Sequence, residues 1–412
     1  MNRNRKGRRG YLLLVFAFSA GTAGALDFGL ALSQEAKASN EYAGDPGFFY
    51  SPVFSPWVSG IAGRSFSFYL SGSVGLEYEK DSWRTPPALP ELTRTELTWL
   101  ASRALSFTLG RQRFADPSGL AASGLFDGLN AAVDSEGGRF SGGVYYTGLL
   151  YKNTADILLT DRDRTDYAEA PALDESYFAS RRILVFLGWE HPGLSSGSSL
   201  ALGLLAQFDL NGGEDRFHSR YLSVRYGLRL PGNLGLEGTG VLGTGESRAE
   251  SGGEELTVFF AAALSLTWGL PSSWEDTLGF RGLYSSPRTG GSLDSFVPVN
   301  SLPRGQVFTP ALGGLSVLTL NYTLRPRRTL SLGAEGSYFI RTDTETFRDS
   351  RDPLKEGGYF LGAEFFGSAS WTPLPDLALS FGGGAFLPRL GNGFAPDAET
   401  RWKAVLRLIL SL

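Results

Sequence analysis

Cysteine is absent, histidine occurs twice and methionine once in 412 residues. Without cysteine there is neither a disulfide framework nor a thiolate metal site. His191 and His218 stand alone, with no serine partner at strand spacing and no cluster to hold a metal. The chain therefore reads as no enzyme, with no catalytic residue, no metal and no cofactor. Acidic residues (42) and basic residues (38) nearly balance, so no positive field awaits nucleic acid. Long apolar runs are also missing. Beyond the N-terminus each is broken by Gly, Ser or charge, and none matches a membrane-spanning helix. Asp161-Arg-Asp163-Arg-Thr-Asp166 begins like a calcium loop, but it lacks the motif's glycine and closing glutamate. That segment reads as a solvated charge run.

The first 25 residues stand apart from the rest. Arg3, Arg5, Lys6, Arg8 and Arg9 precede a short apolar run, Tyr11 to Ala20, and the small residues Ala23-Gly24-Ala25. This is the pattern of a secretory signal peptide over 1–25, leaving 26–412 as the mature chain. Its removal takes five positive charges from a net −4 and leaves −9.

From Leu26 onward the dominant signal is period two. Phe66, Phe68, Leu70, Val74 and Leu76 alternate with serine, glycine and other small or polar residues. Leu222, Val224, Tyr226, Leu228 and Leu230 alternate with Ser223, Arg225, Gly227 and Arg229. Similar runs begin at Leu200, Leu256 and Tyr359, the last with Leu361 on its apolar side. Each is roughly 9–12 residues, the length of a tilted strand crossing a bilayer. Connections alternate in length. Short turns such as Pro231 to Asn233 separate long polar loops such as Gln34 to Phe49, Lys152 to Tyr177, Glu246 to Glu255 and Ser286 to Gly314. The pattern predicts an all-β transmembrane antiparallel barrel with short periplasmic turns and long extracellular loops. About eighteen strands are expected, with sixteen the other even count. A soluble β-sandwich also alternates, but its strands average about 5–6 residues and favour Val, Ile and Thr. Here Leu and Phe hold one parity and Gly, Ser, Arg and Glu the other.

Five tryptophans, Trp57, Trp99, Trp189, Trp268 and Trp371, each precede a short turn at similar spacing. They read as an aromatic girdle at the periplasmic interface. The final segment, Trp402 to Leu412, alternates to the chain end. It resembles the assembly signal through which outer-membrane proteins engage the barrel-insertion machinery, although that signal most often ends in Phe or Trp.

Leu109-Gly110-Arg111-Gln112-Arg113-Phe114, followed by Phe126-Asp127-Gly128-Leu129, is similar to a strand pair of porins of the alginate-export and phosphate-selective type. The resemblance implies a substrate-permeable barrel in the outer membrane. Parity sends Arg111 and Arg113 outward, to headgroups or a loop, unless a bulge at Gly110 turns them in. Inward parity gives the candidate pore-lining charges Arg94, Glu96, Arg182, Asp209, Arg225, Arg229, Glu237, Arg281, Glu335, Arg341, Glu364, Lys403 and Arg407. Arg225, Arg229 and Glu237 share one hairpin, close enough for cross-strand pairing. The weakly charged loop Ser286 to Gly314 is expected to fold into the mouth and narrow it. The expected function is a porin passing ions and small hydrophilic solutes passively. The alternative is an adhesin or structural barrel acting through its loops.

Overall fold

The computed structural model describes residues 25–412, except 41–45, 80–81, 85–88, 170, 173, 213–214, 249–253, 290–292, 301–302, 345–346 and 348–351. The signal-peptide reading thus falls outside the described residues, Ala25 apart. The strands form consecutive antiparallel pairs. They are β1 (Leu26–Ser39), β2 (Gly47–Ala62), β3 (Phe66–Gly75), β4 (Pro90–Leu100), β5 (Leu105–Ala115) and β6 (Ser123–Ser135). Next come β7 (Gly138–Tyr146), β8 (Arg182–His191), β9 (Ser198–Asp209), β10 (Arg216–Leu230), β11 (Leu234–Arg248) and β12 (Glu254–Gly269). The last are β13 (Thr277–Ser285), β14 (Leu315–Arg327), β15 (Leu330–Arg341), β16 (Phe360–Leu374), β17 (Leu377–Leu387) and β18 (Arg401–Ser411). Two short pieces, Glu77–Glu79 and Ser82–Arg84, carry β3 and β4 beyond the rim.

β18 pairs back onto β1, from Ala31 opposite Ser411 to Ser39 opposite Lys403, and so closes an eighteen-stranded barrel. Leu30 and Leu412 exchange both backbone bonds, at 2.9 and 2.8 Å. Closure is what lipid demands, because an unpaired strand edge has no water to bond there. Both barrel ends of the chain lie at the short-turn rim. The strands run farther than the sequence pattern implied. β1 continues to Ser39 and β2 begins at Gly47, inside the stretch read as a loop from Gln34 to Phe49. β11 and β12 likewise take in half of Glu246 to Glu255.

Alternation sorts the two faces. Leu187, Leu204, Leu222, Leu242, Leu264 and Leu318 are exposed on the outer wall, Leu264 at 52%. Their neighbours Leu205, Tyr221, Val241, Ala263 and Val317 point inward and are buried. An inward residue can be that buried only if something fills the barrel. Near the long-loop rim the filling is a hydrophobic core of Leu120, Phe259, Phe296, Val299, Phe308, Phe339 and Phe386. Three of these come from the wall and four from loops turned into the lumen. Toward the short-turn rim the inward residues are small, polar or charged, as a wet interior allows.

Strand β16 breaks its parity at a bulge. Phe339 pairs with Gly362 but Ile340 with Phe360, which makes Leu361 an extra residue. Gly362 takes φ +135°, and a Cβ there would lie 2.5 Å from the Leu387 carbonyl oxygen. The bulge turns Leu361 into the core, fully buried, rather than out to lipid as simple alternation had it.

The face assignment has a measurable consequence. Leu264→Arg places a charge against mid-bilayer lipid, at a cost of about 2–4 kcal/mol in a barrel. Thr267→Arg, three residues further along the strand on the inner face and exposed there, is expected to be tolerated. Gln207 is no such control, because it is fully buried and bonded to Ser219 and the Phe217 carbonyl. Heat-modifiable mobility after refolding into vesicles reads the difference, and equal damage from Leu264→Arg and Thr267→Arg would contradict the assignment.

Candidate functional site: the lumen and its inturned loops

Backbone amides carried into a barrel need acceptors, since neither sheet nor bulk water supplies them there. Three buried carboxylates do so. Asp116 follows β5 and accepts from the N–H groups of Ser118 (2.9 Å), Ala121 (3.0 Å) and Ala122 (2.9 Å). This winds 116–122 into a compact turn that plants Leu120, Ala121 and Ala122 in the core. Asp163 accepts from the N–H groups of Leu159 (3.0 Å) and Thr160 (2.9 Å), completing a capping box on the helix Asp161–Ala168. Glu364, on the inner face of β16, accepts from three consecutive amides of the long loop after β13: Gln306 (2.8 Å), Val307 (2.9 Å) and Phe308 (2.7 Å).

That loop, 286–314, crosses the lumen, and its described residues are fixed at several points. Tyr221 of the wall donates its hydroxyl to the Val297 carbonyl at 2.8 Å. Val299 bonds the Ala121 carbonyl, and the Asn300 side chain both accepts from and donates to the Ser123 backbone. Lys403 reaches the Gln306 carbonyl at 3.0 Å. The Phe308 ring stacks on Phe386 at 4.2 Å and meets Phe339 edge-on at 5.1 Å. The Arg401 guanidinium covers Phe308, Phe386 and Phe394 at 5.2, 5.8 and 5.5 Å, while binding Asp352 at 2.8 Å. The expected inturned loop is therefore present, joined by 116–122, which no expectation had placed inside.

The charges expected to line a pore fall into three groups. Arg182, Asp209, Arg341 and Glu364 are inward but buried, and they anchor loops instead of facing a passing solute. Arg182 binds Asp163 at 2.6 Å and Asp209 at 3.1 Å, with no side-chain exposure on any of the three. It nails the helix-bearing loop to the wall, and breaking such a pair costs about 3–5 kcal/mol. Arg341 donates to the carbonyls of Gly358 and Lys355, the latter at 2.6 Å. Asp163 is thus buried, not part of a solvated run.

A second group is solvated but mutually paired. Arg94 and Glu96 form a two-bond pair at 2.6 Å, and Arg407 binds Glu35 on the strand across the closure, with Nε at 2.9 Å. Arg225 bonds Glu190 of β8 at 3.2 Å, two strands away, rather than Glu237 on its own hairpin. The third group, Arg229, Glu237 and Arg281, is exposed on inward parity, and Glu335 is half-buried. Arg304 of the crossing loop, missed in the sequence, joins Arg281. Its Nε and Nη2 are buried without a hydrogen-bond partner among the described residues. Burial, and then the nearby Arg281 charge, push the Arg304 guanidinium down to about 10.

Arg111 keeps outward parity but never meets lipid bare. The register from Leu105 to Ala115 is unbroken, despite φ +110° at Gly110, and sets Arg111 opposite Asp127. Their side chains pair at 2.8 and 3.0 Å, and the Leu92 and Leu149 carbonyls take the remaining donors. The two halves of the porin-like motif are thus adjacent strands in register, and a loop carbonyl completes the pair. Arg113 is exposed.

Of the five tryptophans, Trp99, Trp268 and Trp371 are exposed on the outer face near the short turns, and Trp189 shares their parity. Trp99 lies between Phe66 (6.0 Å) and Phe107 (5.4 Å) in a row across three strands. Trp57 is no part of that ring. It sits opposite Gly29 and Ser71 on inward parity, with its indole over Gly29 and parallel to Tyr69. Spacing from a turn fixes depth, not face, and the odd parity of β2 carries the indole inside. The two imidazoles serve local backbone: His191 accepts from Gly193 and His218 from Asp209.

No family model matches the chain, and no curated protein matches it by sequence. Solved structures do. Pseudomonas aeruginosa OpdO superposes with a TM-score of 0.61 at 14% identity, over 94% of this chain and 97% of that one. OccK2 (OpdF) of the same organism, in complex with glucuronate, gives 0.60 at 14% identity over 94% and 98%. Acinetobacter baumannii OccAB2 gives 0.59 at 9% identity over 94% and 98%. At such identity the likeness concerns the fold, which is that of an eighteen-stranded outer-membrane porin. The alginate-export and phosphate-selective type is not among these neighbours.

If Glu364 holds the crossing loop in place, Glu364→Ala frees three amides from a charged acceptor, at about 1.5–3 kcal/mol for each bond. Larger and noisier single-channel conductance is expected in planar bilayers, with heat-modifiable mobility retained. Deleting 293–303 is a poorer test, because it strips Phe296 and Val299 from the core. Unchanged conductance in Glu364→Ala would remove the loop from the conduction path.

Proposed function

We propose that the chain is an outer-membrane porin that passes small hydrophilic solutes passively and favours anions over cations at its narrowing. The observation that carries the preference is Arg304, a buried guanidinium with unpartnered nitrogens, held beside the exposed Arg281. Two neighbouring cations without a counter-ion among the described residues attract an anion entering the water beside them, in a wall of low polarisability. The other inner charges mostly cancel in pairs, so the uncompensated pair decides the sign. A neighbour of this fold was solved with glucuronate, and a small carboxylate of that kind suits such a pair.

The adhesin reading loses weight for a physical reason: the loops at 116–122 and 286–314 spend their apolar residues inside the barrel. In this reading the signal peptide over 1–25 directs export, and the strand ending at Leu412 engages the insertion machinery. No helix among the described residues is long and apolar enough to cross a membrane.

Reversal potentials in a salt gradient test the preference. The native channel is expected to favour anions, and Arg281→Glu combined with Arg304→Glu to move the reversal potential toward cations. Arg225→Glu is expected to matter less, because Arg225 shares its charge with Glu190. The preference should also fall as pH rises through about 10, where Arg304 loses its proton, and Arg304→Gln should abolish that step. Cation preference in the native channel would overturn the sign of the proposal, and a folded barrel that never conducts would overturn the porin itself.

A further inference from the structure

Trp57 is an anomaly in the wet half of the lumen. Its companions in the girdle face lipid, where an indole is stable, whereas Trp57 faces water among serines and threonines. Gly29 opposite makes room for it, since a Cβ there would come within 2.8 Å of the indole carbons. Tyr69 of the next strand lies parallel to it, with ring centroids 6.1 Å apart and planes within 9°. The Arg94 guanidinium sits 4.7 Å over the Tyr69 ring, and Glu96 fixes it through two bonds of 2.6 Å. Beside this stack opens a cavity of about 270 Å³, bordered by Asp27, Tyr69, Arg94, Glu96 and Thr98. All of these residues stand on strands, so the arrangement is rigid before any solute arrives.

We infer that this cavity at the short-turn mouth is a binding subsite for a neutral pyranose, with Tyr69, backed by Trp57, as its aromatic side and the Arg94–Glu96 pair as its hydroxyl-bonding side. The inference rests on the porin reading only for how a sugar arrives. Three features select the class. Aromatic carbon beside fixed polar groups suits a ligand with one apolar C–H face and an equatorial rim of hydroxyls. A planar guanidinium–carboxylate pair offers both donors and acceptors, as a hydroxyl needs. Charge then excludes acids: Glu96 cancels Arg94, and Asp27 adds a negative charge to the same wall. The volume lies just below the roughly 300–1,000 Å³ usual for small-molecule sites, which fits one ring rather than a chain.

Saturation-transfer NMR on the detergent-solubilised barrel tests this without requiring conduction. Methyl β-glucoside is the probe, and mannitol, an acyclic polyol without a ring face, is the control. Transfer to the glucoside and not to mannitol is expected. Tyr69→Leu keeps apolar bulk but removes the aromatic side, and it should weaken binding about two- to tenfold. Glu96→Gln should weaken it as well, while heat-modifiable mobility shows that both variants fold. Equal transfer to both probes, or undiminished transfer in Tyr69→Leu, would overturn the subsite. Single-channel recording separates the two claims. Channels that open but show no sugar binding defeat the subsite alone, whereas sugar binding to a barrel that never conducts defeats the porin reading alone.

Discussion

The structure depends on one constraint: every backbone amide and carbonyl removed from water must find a partner inside the protein. In the wall, the eighteen-strand ladder meets it by closing β18 onto β1. In the lumen, where loops enter without a ladder, buried carboxylates meet it. Asp116, Asp163 and Glu364 each accept two or three backbone N–H groups, and each thereby dictates where a loop lies. Charges that simple alternation assigns to solute traffic are in large part structural acceptors and their counter-ions.

This division of labour leaves function to what remains. Once Arg182 is bound by two aspartates, Arg341 by loop carbonyls and Arg407 by Glu35, the uncompensated charges are few. Arg304 is the most unusual of these. The crossing loop holds it beside Arg281 against both burial and like charge, and the restraint comes from neighbouring contacts at Gln306 to Phe308. On the proposed reading, a cation secured by a separate latch ties the width and the selectivity of the narrowing to the same few residues.

The fold was legible because a barrel writes itself locally. Period-two alternation, turn lengths and closure by the last strand all depend on near neighbours, and they yielded the strand number and the outer face of Leu204, Leu222 and Leu264. What was not legible is long-range. Nothing local shows that Glu364 will meet amides more than fifty residues away, or that Asn300 will bind Ser123 across 177 positions. Some signals were present but unread. Thr160 three residues before Asp163 is a capping box, and Asp116-Pro-Ser-Gly is turn chemistry around an acceptor. Trp57 shows a different limit. Distance from a turn sets depth, whereas facing is set by strand parity alone, and the even residues of β2 are the ones that point to lipid.

Hydrogen–deuterium exchange of the folded barrel in detergent tests the central claim, that loops are packed and hydrogen-bonded inside the lumen. The amides of Ala121, Ala122, Val307 and Phe308 are bonded to buried carboxylates. They are expected to exchange nearly as slowly as amides of the central strands, and peptides covering 306–308 should lose that protection in Glu364→Ala. Exchange of these amides at the rate of an open surface loop would contradict the account.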